Sequence, residues 1–337
     1  MSGVLGHSKP SGDKTFHYLS FPTVFSFDEF VSGQFTRLNP SNRQVWDQLL
    51  VETRRLIQRD TTWYGSPPPS HLQELEDHTV FLGMHLLSQL KSRFDKHFSK
   101  YLNHLEENVI PQSRIDYNDR GLGIFSFDRA AMGLFLAPKI DMSNPVAKTA
   151  SQLKVELGKG DVQTRTKKVF THFENRNNSL PSLRLFIGAG ANANVEGDDL
   201  LYIGLACGEL VEFLEKRGIP VEVNIMLGTT FSRQMVAAVV RIKAFEQSLD
   251  KNQLLLLSSD PRHFRYKGFK SLIALANHFN LEIPHSLGSA TPHMYAELKT
   301  LIDDSGFVFE QSYSLDGAAK EVSRIIEEYE TYRMLIS

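Results

Sequence analysis

The sequence predicts an α/β fold: a mixed sheet flanked by helices in the second half of the chain, preceded by an N-terminal helical and β-hairpin extension. Three observations predict it. Leu183-Arg-Leu-Phe-Ile187 is a short apolar run followed at once by a small-residue loop, as a buried strand would be. An amphipathic helical pattern and a second β-prone run at 220–227 follow, in the strand–helix–strand order of a parallel, right-handed crossover. A third β-prone run, 235–245, comes after only a short turn, so it pairs antiparallel with the second and makes the sheet mixed.

Composition sets the frame. The chain has 337 residues, about two domains' worth at roughly 150 residues each. Hydrophobic residues make up 41% and charged residues 23%, which is a globular balance. The net charge of -2 supplies no global positive field for nucleic acid. A single cysteine, Cys207, excludes an internal disulfide framework and a cysteine-based zinc cluster. The first ten residues lack the basic-then-apolar order of a secretory signal, and no apolar run reaches membrane-span length. A cytoplasmic protein without a membrane partner is the simplest expectation.

Residues 1–15, rich in Gly, Ser, Lys and Pro, read as a flexible tail. The aromatic-rich stretch 21–30 reads as a short buried extended piece and then a short helix. Ser41 with Gln44 is a capping-box pattern opening a second helix, with Val45, Leu49, Leu50, Thr53 and Leu56 on one face. Ser66-Pro-Pro-Pro69 breaks the chain, and Ser70 with Gln73 repeats the capping pattern. From there to about 108 apolar residues recur at threes and fours. That spacing predicts one long amphipathic helix, or two with a kink near Gly83, packed on the chain's own core. The runs 114–118 and 122–127 flank Asp119-Arg-Gly121 and read as a hairpin, with a third strand at 131–136. The helical and hairpin region is thus expected over 16–145.

Residues 146–180 change character. Lys154, Lys159, Arg165, Lys167 and Lys168 sit in a glycine- and asparagine-rich setting. This is either a basic arm for nucleic acid or a solvated linker with a strand at 169–173.

The α/β domain is expected over 181–337. Its first helix starts at Asp198 or Asp199 and stops at Gly218. Asp250 with Gln253 resembles a helix start, although four consecutive leucines at 254–257 fit a strand as well. Helices are expected over 261–279, 294–302 and 315–334, and strands at 281–284 and 306–311.

The phrases "GELVEFLEKRGIPVEV" and "VVRIKAFEQSLDKNQLLLLSSDPRHFRYKGF", with this order of elements, resemble a von Willebrand factor A-like domain over about 180–332. They look most like degenerate members found in phages and mobile elements. Typical members hold a divalent metal on an Asp-x-Ser-x-Ser loop after the first strand. Here those positions are Gly188, Gly190 and Asn192, so the anionic ligand is missing. Asn192, Asn194 and Thr229 are what the resemblance leaves for Mg2+, and no cofactor is expected. The same loop matches the dinucleotide pattern G-x-G-x-x-A through Gly188, Gly190 and Ala193. Carboxylates at the delayed helix start, and the absence of an acidic residue ending the second strand, argue against a phosphate there.

No other catalytic constellation emerges. His78, His85, His97 and His104 lack metal-ligand spacing and read as polar-face or core-edge residues. Cys207 lies in an apolar helix and reads as inert. The expected function is a non-enzymatic protein-interaction or scaffold module, through another protein or self-association. The alternatives are a ligand- or nucleotide-binding protein using the loop at Gly188, Gly190 and Asn192, and a nucleic-acid accessory protein using the basic segment.

Overall fold

A computed structural model describes residues 5–59, 68–83, 182–190, 197–291, 293–302, 306–310 and 312–336, with five short strands between 115 and 173. The chain forms two compact units, one made of 1–110 and 180–337, the other of 111–179.

The first unit opens with β1 (Leu5–Ser11) and β2 (Lys14–Phe21), an antiparallel hairpin turned at Gly12, whose φ is +60°. A flexible tail was expected over most of this stretch. Polar composition hid β1, which is fixed by its ladder with β2 and by Lys9, whose ammonium donates to the Leu301 carbonyl at 2.6 Å. Helices α1 (Val24–Phe35) and α2 (Pro40–Gln58) follow. The cap of α2 is Asn39, whose side chain accepts from the Asn42 amide, two residues before the expected Ser41. Pro40 takes the first helical position, where its missing N–H costs nothing.

Next comes α3 (Leu72–Glu76), a single turn capped by the ring of His71. The long helix expected from 70 onward ends here. His78 to Gly83 run without helix across the body, and the remainder of that pattern lies outside the described residues. The apolar spacing was real, but Leu75 and Phe81 are used as separate anchors, 1% and 3% exposed, rather than as one helical stripe.

The second unit contains β3 (Ile115–Asn118), β4 (Ile124–Phe125), β5 (Lys154–Glu156), β6 (Gln163–Arg165) and β7 (Phe170–Phe173). The expected hairpin of β3 with β4 does not form. β7 lies between them and pairs antiparallel with both, and β5 pairs with β6. The expected strand at 131–136 lies outside the described residues.

The first unit resumes with β8 (Leu183–Ala189), α4 (Gly197–Glu215), β9 (Val221–Phe231) and β10 (Gln234–Lys243). β8 and β9 are parallel and β9 and β10 antiparallel. The turn is tighter than expected. β9 runs through Gly228 to Phe231, leaving only Ser232 and Arg233, both at positive φ, as the two-residue hairpin turn. Helix α5 (Lys251–Ser259) resolves the four leucines as helix, with the Asp250 side chain accepting from the Gln253 amide. Then α6 (Pro261–His263), a π-helical turn (Phe264–Gly268) and α7 (Phe269–His278) run on as one rod. No strand forms at 281–284. Helix α8 (Met294–Ile302), β11 (Phe307–Phe309) and α9 (Leu315–Ile336) close the chain.

The result is a mixed six-stranded sheet in the order β1-β2-β10-β9-β8-β11, flanked by helices. Alternation along each strand sorts the core. Leu185, Ile187, Val223 and Ile225 pack with α4 and α9. On the same face, Leu227, Val236, Ala238 and Val240 pack with α1, α2 and α7. Phe186, Met226, Met235 and Val239 point to the opposite face, against Met294, Tyr295 and Leu298 of α8.

Candidate functional site

Open α/β sheets take ligands beyond the carboxyl ends of their strands, where the chain order reverses. Here that place is the end of β8, because β9 lies on one side of it and β11 on the other, both parallel to it. The small residues that drew attention in the sequence stand there.

Gly188 and Gly190 are each covered by an aromatic ring. A Cβ on Gly188 would overlap the ring of Tyr295, and one on Gly190 would overlap that of Phe264. Gly190 also has φ +100°, a conformation that disfavours side chains. Tyr295 does more than fill space. Its hydroxyl donates to the Ala189 carbonyl at 2.7 Å and accepts from the Gly228 amide at 3.3 Å, joining the end of β8 to β9. Burial pushes its phenol far above the ordinary range, so it stays protonated. Tyr313 donates to the Gly190 carbonyl at 3.5 Å, and burial raises its phenol to about 12, against the pull of Arg265.

Thr229 is 3% exposed, and its hydroxyl donates to the Leu287 carbonyl at 2.7 Å. Thr229 lies three residues beyond Met226, the partner of Gly188, and pairs with Val236 of β10, so the sheet does not bring it beside Gly188. Asn192 and Asn194 lie outside the described residues, as do Lys159, Lys167 and Lys168. Lys154 and Arg165 face each other as partners in the β5–β6 ladder. Among the described residues, no group of three or more His, Cys, Asp or Glu is placed to hold a metal ion.

Residues that sequence reasoning missed gather at the end of β11. Burial raises the carboxyl pKa of Glu310, the nearby Glu321 raises it further, and His293 and Arg324 oppose both. The Glu310 amide donates to Glu321 at 3.2 Å, and Arg324 spans Glu321 and Glu328 at 2.7 Å each while also donating to the Val308 carbonyl. The only sequence signal for this group was the position of Glu310 directly after a β-prone run.

A second polar group surrounds the π turn. His78, buried, meets Asp260 at 2.9 Å. The other oxygen of Asp260 caps α6 by accepting from the His263 amide. Burial drives the imidazole of His263 down to about 3, outweighing the attraction of Asp260, so it is neutral near pH 7. Cys207 is fully buried, and burial pushes its thiol far up, which leaves no thiolate for nucleophilic work.

Residues 168–333 match the model of a family described as a domain of unknown function, DUF7192. No curated protein and no solved structure matches the chain.

Proposed function

We propose that this chain is a non-enzymatic protein-binding module built on a von Willebrand A-like sheet with a degenerate metal site. One observation carries the proposal: the backbone at the tip of β8, where such a sheet would seat a cation or a phosphate, is covered by the chain's own rings of Tyr295 and Phe264. A ligand there would have to displace two packed aromatics, each worth a few kcal/mol of burial. The arrangement of β10, β9, β8 and β11, with one antiparallel neighbour beside parallel strands, supports the likeness to that family of sheets. Among the described residues, the Tyr295 hydroxyl, the Ala189 carbonyl and the Gly228 amide are bonded to one another within the fold.

A ligand-binding reading has one observation in its favour, the half-buried Glu310 at the end of β11 with its raised carboxyl pKa. Thermal melting separates the two. A ligand held only by the folded state raises the melting temperature. Magnesium, manganese, calcium, ATP and NAD at millimolar levels are expected to leave it unchanged. A rise of several degrees with any one of them would replace the module reading with the ligand-binding one.

A further inference from the structure

Residues 70–83 pack over the rod of α6, the π turn and α7 as a strap, and the face beneath it has a definite chemistry. Arg262, Tyr266 and Lys270 succeed one another at intervals of four along one rod, and Lys267 stands beside them. Each meets an oxygen of the strap. Arg262 reaches Glu74 at 2.7 Å, Tyr266 donates to Glu76 at 2.7 Å, Lys270 bridges both oxygens of Glu76 at 3.1 Å, and Lys267 donates to the His78 carbonyl at 2.9 Å. The π turn widens the rod at this point, and such turns are frequent where helices meet ligands. Further along, Phe81 fills a slot lined by Leu201 of α4 and by Leu255 and Leu256 of α5, and Asn252 fixes the strap backbone there by accepting from the Phe81 amide.

Two features separate the strap from the sheet core. These ties all run through side chains, with no strand ladder among them. The charges are complementary: Glu74, Glu76 and Asp77 on the strap stand against Arg262, Lys267 and Lys270 below, while His78 of the strap meets Asp260 and Asp28 of α1 also acts on Lys267 and Lys270. Helix-in-groove recognition uses this combination of a short helical turn, an apolar anchor and matched charge.

We propose that this face is a docking groove for an acidic helical turn trailed by an aromatic residue, and that residues 70–83 occupy it in cis as a built-in competitor. The inference rests on the reading of the chain as a binding module and names its surface and the chemistry of its partner. A partner segment carrying acidic residues seven and five positions before a phenylalanine or tyrosine would replace Glu74, Glu76 and Phe81 contact for contact.

The test uses the full chain and a fluorescent synthetic peptide of residues 68–83. In a Glu74→Gln/Glu76→Gln variant the cis strap is weakened. The peptide should then bind about tenfold or more tightly than to the unaltered chain, the equivalent of one or two charged contacts. Binding should weaken on going from about 50 to about 500 mM salt, and Lys270→Glu in the same background should abolish it. Equal or absent binding, with the near-ultraviolet circular dichroism of the variant intact, would overturn the proposal. Hydrogen exchange of the unaltered chain gives a reading that needs no variant. Strap amides at 74–82 should exchange faster than those of β8 and β9, and a common rate for both would show the strap opening only with global unfolding and would also overturn it. Either failure leaves the module reading standing. A cation or nucleotide seated at β8 overturns that reading whatever the groove does.

Discussion

Gly190 and His263 show what single positions contribute. At φ +100° and beneath the Phe264 ring, Gly190 cannot accept a side chain without both backbone strain and displacement of the ring. Gly190→Ala is therefore expected to lower unfolding free energy by about 2 to 4 kcal/mol in urea titrations. A loss under half a kilocalorie would mean that the ring is not packed there. His263 makes stability depend on pH. Its folded pKa, about 3, lies below the ordinary value of 6.5, so the unfolded chain binds the proton more readily. Its contribution is complete above pH 6.5 and is lost as pH falls from there toward 3, at up to about 1.4 kcal/mol per pH unit. His263→Gln should flatten the stability profile between pH 6.5 and 5, and an unchanged slope would assign the acid sensitivity elsewhere. The small residues at 188 and 190 were visible in the sequence. Their reason was not, because Phe264 and Tyr295 are 74 and 107 positions away from them in the chain and no local pattern links them.

At the scale of elements, what could be read was what neighbouring residues decide. The crossover of β8, α4 and β9, the cap at Asp250 and the span 294–302 all follow from local periodicity and side-chain capping. Removing the cap with Asp250→Ala should cost about 1 kcal/mol by chemical denaturation. Elements fixed by distant pairing escaped. β1 is polar and exists because β2 pairs with it, β2 in turn runs parallel to β10 some 220 residues later, and β7 intervenes between β3 and β4. The strap failed for a different reason. Its apolar residues carry a helical period, yet Phe81 leaves the helix to fill the slot between α4 and α5. Phe81→Ala should destabilise the fold by about 3 kcal/mol or more, read from the urea midpoint. A change near zero would mean that the slot closes without it.

For the whole molecule, charge and architecture point the same way. A net charge of -2 supplies no net attraction for polyanions, and within the basic segment at 146–180 the described strands β5 and β6 pair with each other. Duplex DNA is expected to bind no more tightly than the non-specific range of about 10⁻⁴ to 10⁻⁶ M at physiological salt. Nanomolar binding with a steep salt slope would move the function to that segment. No helix among the described residues is long and apolar enough to cross a membrane. At the tip of β8 the rings of Tyr295 and Phe264 cover Gly188 and Gly190, and the acidic strap lies on Arg262 and Lys270 of the rod. The most direct test is a nitrogen-15 correlation spectrum followed at the amides of Gly188, Gly190 and Gly228 while magnesium and then NAD are added to millimolar levels. The expected result is three unmoved signals. Saturable shifts confined to those three glycines would show a ligand seated on the tip of β8 and would contradict the proposal of a protein-binding module.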